Sequence, residues 1–521
     1  MDLELSKFTW YNKNNIWVTG FLRKGDLYMT GYSLVEYFLG ISSFSEFEVI
    51  LKAANGQFSV IIRSGTDIWA ATDRLRNYPI FYMFHGGEYI LSDDCYKLTR
   101  IQNEYKLCKE AFDCFLSNGF VLNNLTLADK IFQIEAGELV DLGEIITRKF
   151  YFDFNSAPIL PKSKDEAAEE LGEIIDEVLK NHFKALEKRF VAIALSGGYD
   201  SRLLATFCAR HHPDNIVFYT YGIRDNADSV GAIEIARRLG IECITIVYNS
   251  ELIKGFLHDD TFMEYYPYVS DLTSMFFMQE YFAVKYLHDN KLVPDSCVFI
   301  TGFSGDMMAG GHLTPQMRDQ SSRARIAEMI FNKYCNQVKI SFSKKSEILG
   351  LICHKIPEDF SVLWKIFESW DQKERQAKFI VNSAKVYSFF GYDYSLPLFD
   401  NELTDFFSAL PFSLKFNKNL YDFVLREHVF SKYNLNLKNE LNPLPSQKAL
   451  QRVKERIKKL FPYRIREWFI SHESVILYDE ITRLMIDEID PSNLIIPKQS
   501  NYYNSYITQW YLLKTSKFLN R

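Results

Sequence analysis

The chain has no C-x-x-C pair; its eight cysteines, from Cys95 to Cys353, lie scattered. That spacing argues against a zinc framework and against a disulfide scaffold. A positive balance is also missing, since 60 Lys and Arg face 66 Asp and Glu, for a formal charge of −6. Binding a nucleic-acid backbone needs a concentrated basic surface, so nucleic acid is not expected as a partner. No uninterrupted apolar run reaches the about 18 residues that suggest a membrane span. The opening MDLELSKFTWYNKNN has no basic stretch followed by an apolar core, so no signal peptide is expected and a cytoplasmic, reducing setting fits. What the chain does have is aromatic bulk, 43 Phe and 31 Tyr, which favours large buried cores.

The stretch VAIALSGGYDSRLLATFCAR, Val191 to Arg210, organises the rest. Five apolar residues run into Ser-Gly-Gly-Tyr-Asp-Ser, and a helical pattern with Leu203, Leu204 and Phe207 follows. A strand, a tight loop and a helix start aim backbone N–H groups and the positive end of a helix dipole at one point, which makes an anion site. Gly197 and Gly198 let the backbone approach the anion, and Ser196 and Ser201 add hydroxyls. Asp200 adds a carboxylate that a phosphate would repel, which suggests a shared Mg²⁺. The loop has no Gly-Lys-Ser/Thr ending, so a Walker A reading fails at its lysine.

This loop resembles the SGGxDS loop of the N-type ATP pyrophosphatases, and among them the asparagine synthetase family. The resemblance implies cleavage of ATP between its α and β phosphates, adenylation of a carboxylate, and an adenine nucleotide alpha hydrolase-like α/β fold. By the same resemblance Leu195, Ser196, Gly197, Gly198, Asp200 and Ser201 hold the nucleotide. Strands alternating with helices after residue 165 independently predict a parallel sheet, with strands at 216–221, 241–248 and 298–301, whose ligands sit at the carboxyl ends. Tyr221 and Gly222, ending the second strand, are candidate adenine contacts through the backbone.

CVFITGFSGDMMAGGH, Cys297 to His312, runs a second strand into a glycine-rich turn and resembles the family's SGEGADELFGGY segment. It is expected to bring Thr301, Gly302, Ser304, Gly305, Gly310 and Gly311 to the same pocket, with Asp306 joining Asp200 on one Mg²⁺. Phe303 stands where asparagine synthetases carry a glutamate, and it neither accepts a proton nor binds ammonia. YSFFGYDYSLPLFD, Tyr387 to Asp400, resembles the GVEARVPFLD stretch; Asp393 takes the acid position, and Ser395 replaces the arginine. Asp393 is thus either the acid–base group or a structural anchor, and Lys448 in PLPSQKAL is expected near the α-phosphate.

Residues 1–155 alternate short apolar runs with turns, as in Phe58 to Ile62 and Ile68 to Ala70, and predict a β-sandwich. NGQFSVIIR, ATDRLRNYPIFY and SNGFVLNNLTLADKIFQIEAGELVDL resemble the glutaminase half of glutamine-dependent asparagine synthetases, of the N-terminal nucleophile type. That family places a cysteine after the initiator Met; here Asp2 follows, and a carboxylate forms no thioester. The Asn-Gly glutamine-binding segment is also missing. A degenerate glutaminase-like domain, 1–155, is therefore expected ahead of a synthetase domain, 165–521, with a Pro-rich linker between them.

The combined expectation is an ATP- and Mg²⁺-dependent amide-forming ligase. Its carboxylate is a small molecule or a sugar, such as a uronic acid of a surface polysaccharide, and its nitrogen donor is ammonia or an amine. A homodimer is among the expectations; the basic helix 450–469 is read as a solvated surface helix, with contact to anionic lipid as the alternative. The competing class is a non-catalytic relative that binds nucleotide as a scaffold, which Asp2 and Phe303 encourage and the retained Asp200 and Asp306 oppose.

Overall fold

The computed structural model describes residues 2–102, 106–212, 214–318, 322–358, 362–437, 477–495, 497 and 502–519. Lys448 and the segment 450–469, expected as a basic helix, lie outside the described residues. The chain begins with β1 (Asp2–Glu4), β2 (Tyr11–Lys13), β3 (Ile16–Lys24), β4 (Leu27–Thr30), β5 (Gly56–Ser64) and β6 (Asp67–Thr72). It continues with β7 (Phe81–His85), β8 (Glu88–Ser92), β9 (Phe132–Gln133), β10 (Glu138–Leu142) and β11 (Ile146–Phe150). These strands form a four-stranded sheet, β1-β8-β7-β9, and a seven-stranded sheet, β11-β10-β6-β5-β3-β2, with β4 beside β3.

Successive side chains of a strand point to opposite faces, and β5 shows the result. Val60 and Ile62 join the main core with Val18 and Ala71, whereas Ile61 packs with Ala70 and Val140 against Tyr82 and Leu91 of the four-stranded sheet. The two sheets therefore face each other across a small apolar layer. The hairpin β7–β8 turns at Gly86 and Gly87, both with positive φ, as the glycine pair suggests. Four helices, Tyr32–Tyr37, Phe44–Ala53, Cys95–Ile101 and Lys109–Asn118, interrupt the expected run of strands.

After Pro161 the helix Lys164–Ala185 starts on a capping box between Ser163 and Glu166 and buries Leu171, Ile175, Val178 and Leu179. It leads into a parallel five-stranded sheet made of β12 (Val191–Ala194), β13 (Ile216–Gly222), β14 (Cys243–Val247), β15 (Val298–Ile300) and β16 (Asp393–Ser395). The order is β14-β13-β12-β15-β16, with every neighbouring pair parallel. Val191, Ala192 and Ile193 are fully buried because helices cover both faces, the usual fate of a central parallel strand. The chain builds outward from β12 through β13 to β14, then returns to lay β15 on the other side. That reversal opens a crevice above the carboxyl ends of β12 and β15, where ligands sit in open α/β sheets.

Candidate active site

Above β12 and β15 lies a cavity of about 700 Å³. The loop after β12 forms its floor. Ser196 Oγ lies 3.0 Å from Ser201 Oγ and accepts from the Gly198 N–H at 3.1 Å, which ties the loop into a tight turn. The helix Tyr199–His211 starts on Gly198 with no side-chain cap, so its first-turn N–H groups are left for a ligand.

The loop after β15 closes over the first. A Cβ on Gly302 would stand 2.8 Å from Asp200 Cβ, and one on Gly305 would stand 2.7 Å from Asp200 Oδ2, so the carboxylate occupies space that any side chain there would take. The Asp306 N–H donates to Asp200 Oδ2 at 3.2 Å. Burial, then the facing Asp306 charge, push the Asp200 carboxyl up to about 7. Two carboxylates, with no third ligand in a His, Cys, Asp or Glu cluster among the described residues, suit Mg²⁺, which takes one or two carboxylates and fills its sphere with phosphate oxygens and water. The repulsion that raises Asp200 is also what a cation would relieve.

Leu195, Ser196, Gly197, Gly198, Asp200, Ser201, Tyr221, Thr301, Gly302 and Asp306 all line this cavity, together with Phe303. Gly222 does not: it ends β13 and gives its carbonyl to the Tyr248 N–H at 2.8 Å. Ser304 supports the second loop from behind, donating to Gln376 Oε1 at 3.2 Å.

Asp393 requires a correction. It opens β16 and pairs with Val298, the first residue of β15, so it lies at the amino edge of the sheet, opposite the cavity. Its exposed side chain accepts from Arg189 at 2.8 Å, and Arg189 also donates to the Ser296 carbonyl. Its side chain thus does not line this cavity, and the contact it makes is the one with Arg189. The residue of that segment at the carboxyl edge is Ser395, whose carbonyl accepts from the Thr301 N–H at 3.2 Å.

The cavity also holds residues that the sequence did not single out. Lys418 donates to Asp306 Oδ1 at 2.7 Å, and Tyr421 donates to Asp200 Oδ1 at 2.9 Å. Although burial works against the Lys418 charge, contact with Asp306 raises its pKa. Lys418 and its neighbour Asn417 both have left-handed backbone, φ 58° and 57°, as does Ser304 at 69°. Strain of this kind in non-glycine residues collects where a structure must aim a side chain. Glu280, inside the aromatic run read only as core, lines the wall toward β13.

Fold and site together define a nucleotide-type crevice: a parallel α/β sheet whose switch point carries a helix N-terminus, a glycine loop and two facing carboxylates. The chain belongs to the asparagine synthase family, which it matches over residues 171–435. It is similar to the glutamine-hydrolysing asparagine synthetase 1 of Bacillus subtilis (strain 168), with 26% identity over 219 residues, covering 39% of this chain and 34% of that protein. The chain thus spans about a third of the curated relative it matches. Similar solved structures include an NH3-dependent NAD synthetase from Campylobacter jejuni, 19% identical, with 29% of this chain and 61% of that one covered and a TM-score of 0.19. A glutamine-dependent NAD+ synthetase from Acinetobacter baumannii, in complex with ADP, is 14% identical, with 50% and 60% covered and a TM-score of 0.19.

Proposed function

We propose that the protein is an ATP-dependent ligase that activates a carboxylate as its acyl-adenylate and transfers the acyl group to a nitrogen nucleophile. The observation that carries this reading is the facing of Asp200 and Asp306 from two separate strand ends, over the uncapped start of the helix Tyr199–His211. The substrate carboxylate attacks the α-phosphorus of ATP, and the bond to pyrophosphate breaks. Backbone N–H groups of the loop 196–198 and the helix start receive the leaving pyrophosphate. A magnesium ion held by Asp200 and Asp306 would neutralise charge on that leaving group. Lys418 adds a cation beside it, and Lys448 is proposed, from the family resemblance, near the α-phosphate. The nitrogen nucleophile then attacks the acyl carbon and expels AMP, losing a proton.

We further read the β-rich part, 1–155, as a glutaminase-like domain without that activity, joined to a synthetase domain at 165–521. Burial pushes the thiols of Cys95, Cys108 and Cys114 up, so the cysteines of this part are held neutral instead of as nucleophilic thiolates. Phe303 on the cavity wall supports a substrate other than the aspartate and ammonia pair. Ammonia, an amino compound, amino acids and uronic acids of surface polysaccharides are the proposed substrate classes, and a cytoplasmic enzyme that pairs as a homodimer is the proposed setting. No helix among the described residues is long and apolar enough to cross a membrane.

The test is pyrophosphate release from ATP and Mg²⁺ against a panel of amino acids and uronic acids, with ammonia, glutamine or amines as donors. One carboxylate class is expected to stimulate release, with glutamine no better than buffer. Release that no carboxylate stimulates overturns the ligase reading.

A further inference from the structure

Acids line the cavity at more than one place, and the proposed reaction uses Asp200 and Asp306. Asp200 and Asp306 stand at the crevice between β12 and β15. Glu280 also lines the cavity, at the N-cap of the helix Tyr281–Asp289 and in contact with Tyr221 of β13. Its one side-chain hydrogen bond among the described residues is from Tyr221 Oη to Oε1 at 3.4 Å, and no cation pairs with it there. The ionisable groups around it are all tyrosines: Tyr219 and Tyr221 of β13, with Tyr248, Tyr265, Tyr387 and Tyr478. A carboxyl group on a ligand cavity that accepts one long hydrogen bond and has no cation beside it leaves hydrogen-bonding capacity for the ligand.

A nucleotide whose phosphates rest on the loop 196–198 has its remaining length to place along the cavity. The side toward β15 is taken by Gly302, Phe303 and the Asp306–Lys418 pair, whereas the side toward β13 is lined by Tyr221, whose ring stacks on Tyr219 and Tyr248, and by Gln279 and Glu280. A flat ring with a hydrogen-bonding edge fits that wall. We propose that Glu280 reads the Watson–Crick edge of the purine, which makes it the residue that selects adenine. This rests on the ATP reading above.

The chemistry of the pairing is specific. A protonated carboxyl offers one O–H donor and an acceptor oxygen in a single plane, which matches the N1 acceptor and N6–H donor of adenine. Oε1 has a second lone pair to spare beside Tyr221. An ionised carboxylate offers only acceptors and matches the N1–H and N2–H donors of guanine instead. Burial pushes Glu280 up to about 7, with the Tyr221 hydrogen bond opposing, so both forms are populated around neutrality. Below that value adenine is favoured, and above it the preference passes toward guanine.

Calorimetric binding of ATP, GTP and purine riboside triphosphate, which lacks the 6-amino group, with Mg²⁺ at pH 6 and pH 8.5, tests this. At pH 6 the unsubstituted protein is expected to bind ATP about tenfold more tightly than either analogue, the worth of one good hydrogen bond, and the ATP-to-GTP ratio is expected to fall at pH 8.5. Glu280→Ala should remove the discrimination. Glu280→Gln, whose amide keeps a donor and an acceptor at every pH and disturbs packing least, should keep the preference for ATP and lose its pH dependence. Equal binding of the three nucleotides, or a ratio that Glu280→Ala leaves intact, overturns the inference alone. So does a loss confined to the KM of an amine substrate, which would make Glu280 an ammonium site. If ATP does not bind the unsubstituted protein at all, the ATP reading falls and this inference with it.

Discussion

Two regions of the molecule carry dense charge, and they treat it in opposite ways. Along the seam between the β-rich part and the parallel sheet, several buried charges meet partners of opposite sign, although the side chains of Arg76 and Lys385 are buried without a hydrogen-bond partner among the described residues. Arg23 pairs with Asp400, each side chain 6% exposed, and Lys7 pairs with Asp271 at 2.6 Å. Lys378 pairs with Glu374 at 2.6 Å. Burial would raise Glu135, but the charges of Lys355, Lys378 and Arg148 hold it below the usual carboxylate range. In the cavity, Asp200 faces another carboxylate, Glu280 faces only tyrosines, and both are pushed up to about 7. A buried pair is costly to break because one charge is then left alone, while carboxyls pushed up on a cavity are candidates for completion by a ligand.

The comparison breaks most visibly at Asp200. Asp200→Asn removes a charge that the fold does not need, so the thermal midpoint should hold or rise, while carboxylate-dependent pyrophosphate release falls by about 10³-fold, as when a main stabiliser of developing charge is lost. Unchanged release would show that Asp200 holds no metal or phosphate contact. A seam residue should do the reverse. Arg23→Met leaves Asp400 buried without its cation and is expected to cost about 3–5 kcal/mol in denaturant unfolding, with ATP affinity of the folded fraction retained. A change of less than about 1 kcal/mol, the worth of a surface pair, would place the seam among weak ion pairs and remove the contrast.

What the sequence made legible was whatever its local pattern encodes. The loops at 196–201 and 302–306 could be placed because strand, glycine turn and helix follow one another within a few residues, and the acid in each loop names its chemistry. The parallel sheet follows from the same alternation. Lys418 and Tyr421 carry no such pattern; they reach Asp306 and Asp200 because the chain returns more than a hundred positions after Asp306 in left-handed backbone that no glycine announces. Glu280 was hidden for another reason, since MFFMQEYFAVKYL reads as core and its one carboxyl turns to the cavity instead. Asp393 was misplaced because similarity of a segment fixes position along the chain but not which end of a three-residue strand meets the ligand.

Asp393 therefore supplies the smallest and sharpest contrast. Both readings of Asp393 allow its contact with Arg189, but they differ in what a charge deletion does. The pair with Arg189 is exposed on both sides, 69% for Asp393 and 39% for Arg189, and at such sites solvent screening leaves about 0–1 kcal/mol. Arg189 keeps its two bonds to the Ser296 carbonyl without it. Asp393→Asn should thus lower the unfolding free energy by less than about 1 kcal/mol and leave the pH profile and rate of pyrophosphate release as they were. A loss of about tenfold or more in rate, with stability unchanged, would instead assign it proton transfer of the kind worth 10²–10⁴-fold. That would require the strand β16 to present its other end to the substrate and would overturn the register Val298 to Asp393.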